Sequence, residues 1–257
     1  MELIKSVFPL KGVVDSRIGG RSENQDGYGF RDTSIGTVIV VCDGMGGLNS
    51  GELASISAIN YIKDRVVSCA DDSGLSNSLC RIIIEANRFI RELKDEDGNP
   101  LRAGTTMVMT VIRGSYLNWI SVGDSKIYLL RENEIVSLTN EHNYSFLVEK
   151  HKDDDGFIFN PSTRPDALVS YLGAPTLQYI DLNAEPLKLI NNDVLILCSD
   201  GLYKNLNEEQ IKVLFLSEKQ DMQRFAEMLT TAATIDAAGM SQDNTTVVVL
   251  KYLESMF

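Results

Sequence analysis

Residues 37–51 read TVIVVCDGMGGLNSG. The first six form a short, β-branched apolar run suited to a buried strand. Asp43 follows, then Gly44, Met45, Gly46 and Gly47, and from Ser50 the pattern turns helical. This places a carboxylate in a tight, glycine-rich loop between a strand and a helix, where the missing side chains let a ligand approach the backbone closely. An acidic side chain there repels a phosphate unless a cation lies between them. The stretch is therefore read as built for a divalent metal first and an anion second.

Upstream, residues 13–16 read as a strand. A loop carrying Gly19, Gly20 and the run Arg21-Ser22-Glu23-Asn24-Gln25-Asp26 comes next, and a strand resumes around Tyr28 and Phe30. Downstream, Asn49 and Glu52 have capping-box-like spacing, and Leu53, Ile56, Ile59, Ile62 and Val66 give one apolar helical face. Leu79, Ile82, Ile83, Ala86, Ile90 and Leu93 mark a second amphipathic helix. Beyond the exposed turn KDEDGNP (94–100) the period changes, with strand-like runs at 105–112, 117–122, 126–131 and 134–138. Connections that short cannot hold crossover helices, so an antiparallel meander is expected. Residues 139–166 are the least regular part, with a brief helix at 145–150, and have the length of a functional insert or a plain surface excursion. Strands at 179–182 and 193–199, helices at 207–216 and 221–238, and a strand at 245–251 complete the chain. The order implies an α+β fold with sheets and helices in layers, and neither a repeat nor a domain linker divides residues 1–257.

A net charge of −12 argues against nucleic-acid binding, which needs a basic surface. No apolar run approaches the roughly 18 residues that span a bilayer, and MELIKSVFPL lacks the apolar core of a signal peptide. The four cysteines are far apart without a CxxC pair. Cys42 and Cys198 lie in apolar runs as buried thiols, which points to a reduced, cytoplasmic compartment.

Five aspartates share one local setting, at a strand end beside a small or turn-forming residue: Asp26, Asp43, Asp124, Asp200 and Asp243. One such aspartate is ordinarily a turn former or a cap. Five in one domain are different, because strand ends in a layered fold gather and unpaired carboxylates repel one another without cations. All-oxygen ligands select Mg²⁺ or Mn²⁺, and two histidines with no HExxH disfavour zinc. No GK dipeptide exists for a P-loop, and neither the thiol-phosphatase loop nor GxSxG is present. A dinucleotide fingerprint would end in Asn49 and would set Asp43 against the pyrophosphate.

VVCDGMGG, VGDSKIY, LCSDGL and SQDNTT, preceded by RSENQD, occur in this order between residues 21 and 246. Together they resemble the metal-dependent protein phosphatases of the PPM/PP2C family, most nearly the bacterial serine/threonine branch. The resemblance implies a four-layer α-β-β-α sandwich, two antiparallel sheets flanked by antiparallel helix pairs, as a single domain with a flap-like insert at about 139–166. It implies two Mn²⁺ or Mg²⁺ ions in a channel at one edge. Asp43 would bridge both, the Gly44 carbonyl would bind one, and Asp200 and Asp243 would complete the other position. Asp26 would hold metal-bound water, Asp124 with Asp200 would offer a third, weaker metal site, and Arg21 would grip the substrate phosphate with its forked guanidinium. Water activated between the ions would then attack phosphorus in line, without a covalent phosphoenzyme.

Gln25 stands where animal members carry a metal-binding glutamate, and Met45 where they carry a histidine proposed as general acid. The family's flap sequence is only echoed, by Asn160-Pro161-Ser162-Thr163-Arg164. The expected activity is hydrolysis of phosphoserine and phosphothreonine in a protein substrate of a serine/threonine kinase, by a cytoplasmic monomer that binds neither nucleic acid nor membrane. The alternative is a non-enzymatic or regulatory binding module on the same fold.

Overall fold

The structure, a computed structural model, describes residues 2–5, 10–47, 50–69, 74–95, 97–154, 156–218, 221–235 and 243–254. The apolar run of residues 37–42 lies in strand β4 (Gly36–Gly46) and is buried on both faces, which is why it does not alternate with polar residues. Val38, Val40 and Cys42 pack into one apolar cluster and Ile39 and Val41 into another. Fully burying such a side chain contributes about 1.5–3 kcal/mol. The same division recurs in β12 (Val194–Cys198), where Leu195 and Leu197 face one cluster and Val194, Ile196 and Cys198 the next.

These faces belong to two antiparallel sheets. The first has six strands in the order β1 (Glu2–Lys5), β2 (Leu10–Arg17), β13 (Thr245–Tyr252), β12, β8 (Lys126–Arg131) and β9 (Glu134–Ser137). The second runs β10 (Asp181–Leu182), β7 (Tyr116–Val122), β6 (Met107–Arg113), β4 and β3 (Asp26–Thr33). β11 (Leu187–Lys188) is attached to β7, and β5 (Ala103–Thr105) to β4. Helices α1 (Ser50–Val66) and α2 (Leu75–Arg91) cover the second sheet, α3 (Tyr144–Lys150) is the brief helix of the insert, and α4 (Asp200–Tyr203), α5 (Glu208–Ser217) and α6 (Met222–Ile235) cover the first sheet. The result is a four-layer α-β-β-α sandwich with a third apolar cluster between the sheets. Asn207 caps α5 reciprocally with Gln210, side chain to backbone in both directions at 2.9 Å. Among the described residues no helix is long and apolar enough to cross a membrane.

Several expectations are corrected. Asp43, Gly44 and Met45 do not lie in a loop: β4 runs through them, because β5 takes over as partner where β6 ends, pairing Gly44 with Thr105. The expected meander is split, since β6–β7 and β8–β9 are antiparallel hairpins of different sheets and the chain crosses between them at Gly123-Asp124-Ser125. In α1, Leu53 and Ile56 are exposed, and the buried face is Gly51, Ala54, Ser55, Ala58, Ile59, Ile62 and Val66. Small residues win there because α1 lies so close to β3 that a Cβ on Gly27 would sit 2.7 Å from Ile59 Cδ1. β1 and β11 are strands that the sequence pattern did not suggest. Asn49, the expected cap of α1, and residues 236–238, the expected end of α6, lie outside the described residues. Cys42, Cys198 and also Cys69 are buried, and none of the four cysteines is joined in a disulfide.

Candidate active site

Antiparallel strands of two stacked sheets bring their ends to a common edge, and five aspartates sit at one such edge. Asp26 opens β3 and lies directly opposite Asp43 of β4 in the strand register. Asp124 stands at the crossing between β7 and β8, Asp200 directly after β12 and Ser199, and Asp243 two residues before β13. Asp43, Asp124, Asp200 and Asp243 line a cleft of about 810 Å³ together with Arg21 and Lys204. Asp26 is buried behind it. A larger hollow of about 1150 Å³ between α5 and α6, lined by Leu206, Val213, Leu214 and Met228, contains none of these aspartates and is no centre for their chemistry.

Each position is set by neighbouring backbone. The Asp43 N–H donates to Thr106 Oγ1 at 3.0 Å, and its carbonyl accepts from Thr105 Oγ1 at 2.9 Å and Thr106 N at 2.8 Å. Gly44 has no room for a side chain, since a Cβ there would lie 2.1 Å from the Gly51 carbonyl oxygen. Gly123 adopts φ 102°, a left-handed conformation that permits the sheet-to-sheet crossing. Its N–H donates to His142 Nδ1 at 3.1 Å and its carbonyl accepts from His142 N at 2.9 Å. Burial pushes the His142 imidazole down to about 4, so the ring is neutral and can accept there. Asn244 ties the Arg21 loop to Asp243: its Oδ1 accepts from Gln25 N at 2.9 Å, and its Nδ2 donates to Ile18 O at 2.8 Å and Glu23 O at 3.0 Å.

The carboxylates differ in their counter-charges. Ser199 Oγ donates to Asp26 Oδ2 at 2.7 Å, while Asp26 Oδ1 is buried with no hydrogen-bond partner among the described residues. Burial, reinforced by the charges of Asp200 and Asp243, pushes the Asp26 carboxyl up to about 7. Asp43 is raised well above the carboxylate range by burial and then by the charges of Asp26, Asp200, Asp124 and Asp243. Asp124 is pushed up to about 6 by burial and Asp200, with Lys204 opposing. Arg21 Nη2 donates to Asp243 Oδ2 at 2.8 Å, so this guanidinium is paired with a member of the cleft. Lys204 Nζ pairs with Asp200 Oδ2 and lies 3.9 Å from Asp124 Oδ2. Burial lowers the Lys204 pKa, but Asp200 and then Asp124 and Asp166 outweigh it and raise the ammonium above its ordinary value.

All seven residues singled out in the sequence are thus brought to one place, with Asp26 behind the surface. Lys204, Thr106, Ser199 and Asn244 were missed. Lys204 had a readable signal, because it comes four residues after Asp200 in a helical segment. From the insert, Arg164 and Asp166 also reach the cleft lining, where Gln25 and Met45 lie too. Among the described residues no three His, Cys, Asp or Glu side chains already converge as a ligand cluster. Asp243 and Asp200 are paired instead with Arg21 and Lys204. The donor set nevertheless fits hard divalent ions: it is all oxygen, and it contains raised, buried carboxyls and one orphaned buried oxygen.

The family model described as Protein phosphatase 2C matches residues 15–242. The serine/threonine phosphatase stp of Listeria welshimeri is 27% identical over 237 residues, covering 90% of this chain and 91% of that protein. The S. agalactiae serine/threonine phosphatase structure superposes with a TM-score of 0.81 at 26% identity, covering 95% of this chain and all of that one. The catalytic domain of PstP in complex with two manganese ions shares the fold, with a TM-score of 0.70 at 24% identity, 95% of this chain and 98% of that one. Fold and cleft define a metal-dependent protein-serine/threonine phosphatase. The chain belongs to the protein phosphatase 2C family.

Proposed function

We propose that Asp43, the Gly44 carbonyl, Asp200 and Asp243 hold two Mn²⁺ or Mg²⁺ ions at the floor of the cleft, and that the chain dephosphorylates phosphoserine and phosphothreonine in proteins. The observation that carries this is that five aspartates sit at one edge, four of them on the cleft lining, with Asp26 and Asp43 opposed across a strand pair. Like charges opposed in that way are unfavourable unless something neutralises them. Divalent ions bound there supply a water acidified toward neutral pH and offset charge on the phosphoryl group. Asp26, buried behind the cleft with one oxygen free of hydrogen-bond partners among the described residues, orients water there. Arg21 leaves Asp243 for the substrate phosphate, which its fork grips on two oxygens. Met45 offers no proton, so leaving-group protonation falls to water or another residue.

Residues 1–257 act as one domain, with residues 139–166 as a flap, which Arg164 and Asp166 on the cleft lining support. The substrate is made by a serine/threonine kinase, and the protein works as a cytoplasmic monomer, in keeping with four cysteines that form no disulfide. A third ion between Asp124 and Asp200 would have to displace Lys204. The intact aspartate set speaks against a degraded binding module. Aryl phosphate hydrolysis is expected with Mn²⁺ or Mg²⁺ and to vanish with chelator. Full turnover in excess EDTA, with elemental analysis confirming metal removal, would overturn the proposal.

A further inference from the structure

The geometry points to Lys204 as a tethered cation that takes the place of a third ion between Asp124 and Asp200, so that this chain holds two divalent ions and no third. The inference rests on the two-ion reading of the cleft. The Lys204 ammonium pairs with Asp200 Oδ2 and stands 3.9 Å from Asp124 Oδ2. It is the only cation within 4 Å of Asp124 among the described residues. Asp124 keeps 6% of its side-chain surface and Asp200 13%, so neither can rely on solvent to screen its charge. An ammonium is a compact point charge with three donors and no acceptor, able to bridge two carboxylates much as a small metal ion does.

The tether makes the substitution persistent. Lys204 lies four residues after Asp200, at the end of α4, so its stem rises along the same helical face. A free ion at this gap leaves by dissociation, whereas the ammonium does not. An incoming divalent ion must also approach a fixed positive charge and break an existing ion pair. Asp166, of the insert, weighs on the same ammonium, so Lys204 joins the Asp124 crossing, the segment after β12 and the insert at one charged point.

The test counts ions. Metal-stripped wild type, Lys204→Met and the double variant Lys204→Met/Asp124→Asn are dialysed to equilibrium against rising Mn²⁺ and analysed for manganese per chain, with melting curves for each. Wild type is expected to bind two, Lys204→Met to gain a weaker third, and the double variant to lose that third alone. Three ions on wild type, or no gain in Lys204→Met, overturns the inference while leaving the two-ion reading standing. No manganese on wild type together with no aryl phosphate hydrolysis overturns both. Wild-type crystals soaked in Mn²⁺ ask the same question without a substitution. Two anomalous peaks with the ammonium still on Asp200 are expected, and a third peak between Asp124 and Asp200 with Lys204 displaced is the opposing result.

Discussion

Asp26 and Asp43 face each other across β3 and β4 with the neighbouring charges that weigh on them all carboxylates, whereas Asp200 and Asp243 each carry a cation, Lys204 and Arg21. The residue type and the setting at the sandwich edge are the same on both sides. The difference lies in the elements that hold each pair. β3 and β4 lock their two carboxyls by strand register and bring no basic side chain of their own to answer them. α4 and the Arg21 loop bring basic side chains back over the cleft. One side of the cleft therefore has no protein cation to neutralise it, while the other carries Lys204 and Arg21, of which Arg21 would have to leave Asp243 to reach a phosphate.

The sharpest break in this comparison is Asp43→Asn set beside Asp200→Asn. Both should nearly abolish hydrolysis, lowering kcat by about 10²-fold or more, since on the proposed two-ion reading each change would remove a charged ligand from the place where water is activated. Their effects on the ion-stripped protein should diverge. Asp43→Asn removes an uncompensated charge and should raise stability at pH 7.5 by roughly 1–2 kcal/mol. Asp200→Asn removes a partner of Lys204 and should leave stability unchanged or lower. Wild-type turnover in either variant, or parallel melting shifts in both, would show that the two sides are not distinct.

Asp26→Asn should impair turnover less than either of those changes, because Asp26 lies behind the cleft surface. Its carboxyl is raised from the ordinary value to about 7 in the fold. Between about pH 4 and 7 the folded chain therefore holds at Asp26 a proton that the unfolded chain has released, so the contribution of this carboxyl to stability falls as pH rises through that window, while the buried neutral His142 contributes the opposite slope up to its ordinary value. The two are separated by comparing the stripped wild type with Asp26→Asn: the stability of the variant relative to wild type should grow by roughly 1–3 kcal/mol across the window. A difference between the two that stays flat or shrinks as pH rises would contradict the burial account.

Arg21→Ala should give the smallest effect. The pair with Asp243 has both side chains more than 40% exposed, and exposed pairs contribute about 0–1 kcal/mol, so folding should be little changed. KM for aryl phosphate should rise several-fold, and Arg21→Lys should restore only part of the loss, since a point charge cannot make the forked contact. Steady-state kinetics at saturating Mn²⁺ decide it; unchanged KM and kcat would reduce Arg21 to a partner of Asp243.

The aspartate set was legible in the sequence because strand ends announce themselves by apolar runs stopping at glycine or asparagine, and layered sheets gather such ends. The layer order was legible from the change of period between helices and strands. The features that escaped depend on distance between elements. Leu53 and Ile56 fit an apolar helical stripe, yet the glycines of β3 draw α1 in along its small-residue face. The sheet change at Gly123 looks like any short turn in sequence, because nothing local says that the next strand pairs elsewhere. β11 is only a two-residue strand, too short to show a period.

The His142 anchor has a consequence for chimaeras. The segment beyond it closes on itself at the base: Val169 N donates to His142 O at 2.9 Å, Tyr144 N to Ala167 O at 2.8 Å, and Asn143 bridges to Leu168. The stretch between those closures also packs on the body: the Phe146 ring lies 5.6 Å from His142 and 5.2 Å from Tyr179. A chimaera that exchanges residues 144–167 must therefore carry Phe146 with it, or it loosens the histidine that holds the Gly123 crossing and, one residue on, Asp124.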